Sequence, residues 1–134
     1  MLSIFNWFQQ RKKITALCII MWAVIILAAC LIPSKDVPSL SIFQYDKLVH
    51  FGIFGLLSFL MLLYLKNPRL VPQGLWVWII CTVYGYFIEL LQGSGITEGR
   101  SYDGFDELAD SFGAGLGVLI FFLFHFLNTR FKKD

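Results

Sequence analysis

Ionisable side chains at helical spacing interrupt several otherwise apolar stretches of this sequence. Asp46 and His50 are four residues apart, so in a helix they share a face and can pair. Glu89 and Gln92, three residues apart, share a face in the same way. Carboxylates and an imidazole are the groups that exchange protons as general acids and bases. They are also ligands for divalent cations, so these positions are candidates for either chemistry.

The longest polar pattern opens the last apolar stretch. Five residues fall at offsets of 0, 3, 7, 10 and 14, which is one face of a helix: Asp103, Asp106, Asp110, Gly113 and Gly117. The three acids supply carboxylates, whereas the two glycines form a smooth surface that lets another helix pack closely. We expect the acids of this stripe to face the polar ends of the neighbouring helices.

The elements that must position these groups are membrane-spanning helices. Of the 134 residues, 57% are hydrophobic and only 15% are charged, against about 25% charged in an ordinary soluble domain. This composition excludes a disordered chain, a basic nucleic-acid-binding domain and a soluble enzyme of ordinary make-up. A span needs roughly 20 apolar residues, and four stretches qualify, at about 14–32, 48–65, 75–92 and 106–127. We therefore predict an all-α integral membrane four-helix bundle in a single domain, 1–134.

The basic residues predict the orientation of this bundle. Eight of the eleven flank the two termini or the second connection: Arg11, Lys12, Lys13, Lys66, Arg69, Arg130, Lys132 and Lys133. By the positive-inside rule both termini are cytoplasmic, an N-in/C-in arrangement, and the acidic cluster faces outward. Residues 1–13 combine large apolar side chains with a basic end, which predicts an interfacial segment.

The three cysteines all fall inside apolar stretches, which is typical of small buried hydrophobes rather than of a disulfide framework. Cys30 follows Leu27-Ala28-Ala29 in a pattern that resembles a bacterial lipoprotein signal. The preceding apolar run is longer than the roughly 7–15 residues of such a signal, so we prefer the four-span interpretation.

Charged groups at membrane depth are costly, and each is therefore a candidate for function. The candidates for acid–base catalysis are Glu89, Asp106, Asp110 and His50. The candidates for binding a polar ligand are Arg100, Asp46, Lys47, Gln92 and Asp103. No cofactor and no metal site are predicted from a known spacing, although these ligand types also suit a divalent cation. The alternative is that such a cluster only fixes the order and register of the helices.

The same residues, in the same order, resemble the VanZ-like family of bacterial membrane proteins. The matching features are Pro33, Asp46-Lys47-x-x-His50-Phe51, Glu89-x-x-Gln92, Arg100 and Asp106-x-x-x-Asp110-x-x-Gly113-x-x-x-Gly117. The family typically has an asparagine at the position of Asp110, so this chain adds a carboxyl group there. The resemblance implies a multi-pass protein of the bacterial cytoplasmic membrane and a link to resistance to the glycopeptide teicoplanin, without a defined reaction.

Three functions are compatible with these features. The first is binding or modification of a cell-envelope ligand, such as a lipid-linked cell-wall precursor or a lipid headgroup, and it leaves enzymatic activity open. The second is a non-enzymatic structural role, with a homo-oligomer formed through the face of Gly113 and Gly117. The third is a small proton-coupled transporter, which is disfavoured because the inner half of the chain lacks matching polar residues. Membrane lipids are expected partners, and nucleic acid is not.

Overall fold

The computed structural model of this chain describes residues 2–33, 46–65 and 70–130. All regular secondary structure in these residues is α-helical. Its helices are α1 (Leu2–Gln10), α2 (Lys12–Cys30), α3 (Asp46–Tyr64), α4 (Leu70–Gly93) and α5 (Gly104–Arg130). Four of them, α2 to α5, are long and apolar enough to cross a membrane. The prediction of an all-α bundle with four spans is confirmed. Several residues used to predict orientation lie outside the described residues: Lys66, Arg69, Lys132 and Lys133.

All four spanning helices begin before the predicted spans, and the early starts of α4 and α5 have identifiable reasons. Helix α4 begins at Leu70 rather than near residue 75 because Pro72 lies in its first turn, where a missing backbone N–H costs no helical hydrogen bond. Helix α5 begins directly after Asp103, whose Oδ1 accepts a hydrogen bond from the N–H of Phe105 at 2.8 Å. Asp103 is therefore the N-cap of α5. With 27 residues, α5 is about 40 Å long and exceeds the roughly 30 Å apolar core of a bilayer.

Helix α5 packs most closely against α3, along the predicted glycine face. A Cβ atom at Gly113 would overlap the carbonyl oxygen of Phe51, and one at Gly117 would overlap that of Gly55. Ser58 reinforces this contact by donating a hydrogen bond from Oγ to the carbonyl oxygen of Ala114 at 2.8 Å. The face on which we predicted a homo-oligomer is thus covered by α3 of the same chain, so a second copy could reach it only by displacing α3.

The N-terminal segment is a helix that packs on the far end of α5. The ring of Phe5 is buried, with its centroid 5.5 Å from that of Phe121 and 6.3 Å from that of Phe124. The side-chain amides of Asn6 and Asn128 exchange two hydrogen bonds, of 3.3 and 2.9 Å. Helix α1, which lies in the predicted interfacial segment, therefore packs against the C-terminal end of α5, at the opposite end of the bundle from the first turn of α5.

We expect Asn128→Ala to lower the free energy of unfolding by about 1 kcal/mol, because it leaves the half-buried amide of Asn6 without its partner. Thermal unfolding of the purified protein in detergent measures this cost. The double variant Asn6→Ala with Asn128→Ala should cost less than the sum of the two single variants, since the pair acts as a unit. Strictly additive costs would show that the two amides contribute independently.

Candidate functional site

Helices α3, α4 and α5 bring seven of the nine predicted site residues together at one end of the bundle. We call this group the polar cluster: Asp46, Lys47, His50, Glu89, Asp103, Asp106 and Asp110. The carboxylates of α5 reach it because they lie in its N-cap and first two turns. For those in the N-cap and first turn, negative charge also interacts favourably with the helix dipole. The cluster has an accessible layer and a buried layer.

The accessible layer is organised by one ammonium group. Lys47 Nζ donates to Asp103 Oδ2 at 2.9 Å and to Asp106 Oδ1 at 3.0 Å. The side chains of Lys47 and Asp103 are 52% and 39% exposed, whereas that of Asp106 is only 8% exposed. The hydrogen bond from Lys47, together with that from the N–H of Phe105, lowers the pKa of Asp103 below its ordinary value of 3.8. This layer ties the start of α3 to the start of α5.

The buried layer contains a histidine–aspartate pair. His50 Nδ1 lies 2.9 Å from Asp110 Oδ1, and both side chains are almost completely buried. The sequence predicted Asp46 as the partner of His50, but their closest atoms, Nε2 and Oδ1, are 3.9 Å apart. The closer partner is Asp110 because α5 contacts the backbone of α3 at Gly113, and that contact brings the preceding turn of α5 against His50.

Glu89 completes the buried layer from α4. Its side chain is fully buried, and Oε2 accepts a hydrogen bond from the backbone N–H of Asp103 at 2.9 Å. One turn earlier, Gly85 makes room for Asp110, since a Cβ at this position would lie 2.6 Å from Asp110 Oδ2. Sequence reasoning did not assign Gly85 to the site. The signal was present as a glycine four residues before Glu89, on the same helical face.

Gln92 and Arg100, predicted as ligand-binding residues, contact the end of α2. Gln92 Nε2 donates to the carbonyl oxygen of Cys30 at 2.6 Å. Arg100 Nε donates to the carbonyl oxygen of Ile32 at 3.2 Å. The last carbonyl groups of a helix have no partner within the helix, and these two side chains satisfy such groups at and just beyond the end of α2.

An apolar groove leads away from the polar cluster, and sequence reasoning missed it. It has a volume of about 980 Å³ and lies among α3, α4 and α5. Lys47 lines it together with residues that include Phe51, Leu75, Trp78, Phe112 and Leu119. The lining of α5 runs from Ala109 to Leu119, so the groove is about 15 Å long, which is half of the roughly 30 Å apolar core of a bilayer. Trp78 is fixed in this wall because its Nε1 donates to the carbonyl oxygen of Ser111 at 2.9 Å.

The cluster offers two sets of three residues whose ligand atoms lie within 4.8 Å of one another. One set is Asp46, His50 and Asp106, and the other is His50, Glu89 and Asp110. Carboxylate oxygens and an imidazole nitrogen suit a divalent cation, and the same groups can hold or transfer protons. The accessible layer can also bind polar groups of a ligand, since its carboxylates accept and its ammonium donates hydrogen bonds.

The lowered pKa of Asp103 gives the protein a defined acid sensitivity. Its ionised carboxylate stabilises the folded state above the ordinary pKa, and this stabilisation is lost as the pH falls through the lowered value. We expect Asp103→Asn, which keeps a capping side chain, to be less stable than the unsubstituted protein near about pH 6. The difference in melting temperature should shrink below about pH 4. A difference that stays constant into acid would contradict this role.

Comparison with known proteins places this chain in one family. The family model VanZ/LLP1 matches residues 1–125, which include every member of the polar cluster and both ends of the groove. No curated protein and no solved structure matches this sequence. The family match and the four apolar helices agree on a multi-pass membrane protein. The chain belongs to the VanZ/LLP1 family.

Proposed function

We propose that this protein binds a lipid of the bacterial cell envelope in the outer leaflet of the cytoplasmic membrane. The lipid chain would lie in the groove and its headgroup against the accessible layer of the polar cluster. One observation supports this most strongly: the apolar groove ends at Lys47, so that a molecule lying along it places its polar end beside the charged residues. The length of the groove fits one chain within one leaflet.

The charges of the accessible layer define the headgroup that would fit. Asp103 and Asp106 contact Lys47, and a carboxylate oxygen of Asp46 lies within 4.8 Å of one of Asp106, so carboxylate oxygens outnumber the ammonium group. Sugar hydroxyls and amines can donate hydrogen bonds to these oxygens, while Lys47 can attract a phosphate. A phosphate-linked sugar lipid, the chemical class of lipid-linked cell-wall precursors, offers all of these groups.

Binding is better supported than modification of this ligand. Three of the four acid–base candidates, His50, Glu89 and Asp110, are buried beneath the accessible layer, and their exposed fractions do not exceed 4%. The fourth, Asp106, is paired with Lys47 at 3.0 Å. A general acid or base must come within hydrogen-bonding distance of the reacting group. The half-exposed residues Asp46, Lys47 and Asp103 are the ones that a headgroup can contact directly.

Proton-coupled transport receives less support from the interior of the bundle. Below Ser58 the fully buried side chains of α3 and α5 are apolar, namely Leu62 and Phe121, until the amide of Asn128 near the other end. Among the described residues, no chain of buried ionisable groups connects the polar cluster to that end. A proton relay requires such a series.

Native mass spectrometry of the purified protein tests lipid binding in the groove. Gly115→Leu adds a bulky side chain to the wall beside Trp78, where a Cβ alone would fit at 3.7 Å. Gly52→Leu is the matched control, because a Cβ at that helical surface position meets no atom of the described residues within 4 Å. We expect a lipid adduct on the unsubstituted protein and on Gly52→Leu, and about tenfold lower occupancy on Gly115→Leu. Equal adducts on all three proteins would contradict binding in this groove.

We further propose that this lipid binding contributes to teicoplanin resistance. If the bound lipid is a cell-wall precursor, expression in a Gram-positive host should raise the teicoplanin concentration needed to inhibit growth. Lys47→Gln and Asp106→Asn, at equal abundance in the membrane, should abolish this increase because they break the charge pairs that organise the accessible layer. No effect of the unsubstituted protein would contradict the link to teicoplanin.

A further inference from the structure

We propose that His50, Glu89 and Asp110 bind one divalent cation in the buried layer of the polar cluster. The three residues come from α3, α4 and α5, so one ion would join three of the four spans. One ligand atom from each lies within 4.8 Å of the other two. This inference does not rest on lipid binding, because none of the three residues lines the groove or is accessible to a headgroup.

Two buried oxygen atoms of the proposed ligands lack a hydrogen-bond partner among the described residues, which supports a bound cation at this site. Glu89 Oε1 and Asp110 Oδ2 have no hydrogen-bond partner among the described residues, and both side chains are completely buried. A buried polar atom without a partner costs about 1–3 kcal/mol, and more when it carries charge. Native proteins rarely leave such atoms unsatisfied, so each one calls for a bound water or ion. Here the two atoms belong to the residues that share one candidate site.

The charge of the buried layer favours a cation over a water molecule. Two ionised carboxylates beside a neutral imidazole carry a charge of −2, which one divalent cation cancels. Within a membrane, carboxylates are tolerated only when they are paired. In the other set, Asp46, His50 and Asp106, the negative charge of Asp106 is already paired, because Lys47 Nζ lies 3.0 Å from Asp106 Oδ1. No lysine or arginine among the described residues pairs with Glu89 or Asp110.

The ligand types indicate which cations would fit. One nitrogen and two carboxylate oxygens suit Zn²⁺ and Mn²⁺ better than Ca²⁺, which takes six to eight oxygen ligands. Three protein ligands leave at least one coordination position for water. Tetrahedral ligands at bonding distance are about 3.4 Å apart, so closure requires side-chain shifts of only about 1 Å.

Elemental analysis tests the site directly. The protein is purified in detergent, loaded with Zn²⁺ or Mn²⁺ and washed free of unbound ion. We expect about one ion per chain in the unsubstituted protein. Loss of a residue that only hydrogen-bonds to a metal ligand typically weakens metal binding 10–100-fold. Loss of one of the three ligands themselves should weaken it further, so Glu89→Gln and Asp110→Asn should lose the ion. Glu107→Gln, which removes a carboxylate bonded to Tyr102 outside the site, should keep it.

Two results would overturn the proposal. One is folded unsubstituted protein that retains no ion after loading, which would mean that protons neutralise Glu89 and Asp110. The other is an equal ion content in Glu89→Gln, Asp110→Asn and the unsubstituted protein, which would place the ion elsewhere.

A second measurement separates a lost ligand from a damaged fold. Co²⁺ loaded into the unsubstituted protein should give a visible absorption band of tetrahedral or five-coordinate type. A folded protein that does not bind Co²⁺ through these ligands does not produce this band. Zn²⁺ should displace that band. Asp110→Asn should keep the helical circular dichroism of the unsubstituted protein and lose the band, since asparagine has the same shape. A band of unchanged intensity in folded Asp110→Asn would contradict the assignment of this ligand.

Discussion

Gly113→Ala is expected to destabilise this protein strongly, as is Gly117→Ala at the other glycine of the same contact. At Gly113 the new Cβ would overlap the carbonyl oxygen of Phe51, a backbone atom that cannot move aside without separating α3 from α5. Overpacking of this kind costs about 1–3 kcal/mol, and rigid backbone contacts lie at the upper end. Thermal unfolding in detergent should therefore show a melting temperature several degrees lower.

Gly52→Ala is the matched control on α3. Within the described part of the chain, a Cβ at Gly52 meets nothing within 4 Å, so alanine should leave the melting temperature unchanged or raise it slightly through its greater helix propensity. Equal effects of Gly113→Ala and Gly52→Ala would show that α3 and α5 do not pack through the glycine face.

The second large effect is expected from Lys47→Met. This change removes the only ammonium group that the described residues place against Asp103 and Asp106, and Asp106 is almost completely buried. The cost should be about 1–3 kcal/mol, between that of an exposed ion pair and that of a buried one, because Lys47 itself is half-exposed. Lipid adducts should also disappear, since the group that attracts the headgroup is lost.

Lys47→Met combined with Asp106→Asn separates charge pairing from packing. Removing the charge of Asp106 eliminates the unpaired carboxylate, so the double variant should regain most of the lost stability. A double variant that is less stable than Lys47→Met alone would contradict the role of Lys47 as the counter-ion of Asp106.

The spans and the polar stripe could be predicted from the sequence because both depend on local properties. Four apolar stretches of about 20 residues define the helices, and the spacing of Asp103, Asp106 and Asp110 places their carboxylates on one face. The early start of α4 was missed, because the predicted span was placed at the apolar run after Pro72-Gln73-Gly74, whereas the helix includes these residues with Pro72 in its first turn.

The partners of individual side chains could not be predicted, because they depend on how the helices are placed relative to one another. Spacing within α3 favoured Asp46 as the partner of His50, but the close approach of α5 provides Asp110 at a shorter distance. Gln92 and Arg100 contact the end of α2, a segment far away in sequence. The groove likewise exists only between helices, so no pattern within one helix indicates it.

The position of a bound lipid tests the central claim most directly. A phosphate-linked lipid carrying a photoactivatable group in its chain is added to the protein in detergent at one lipid per chain, and the crosslinked residues are mapped by mass spectrometry. We predict crosslinks to the groove walls, at residues such as Leu75, Trp78 and Phe112. Crosslinks that occur as often on the exposed face of α2, at Ile20 and Val24, would contradict a lipid site built by α3, α4 and α5.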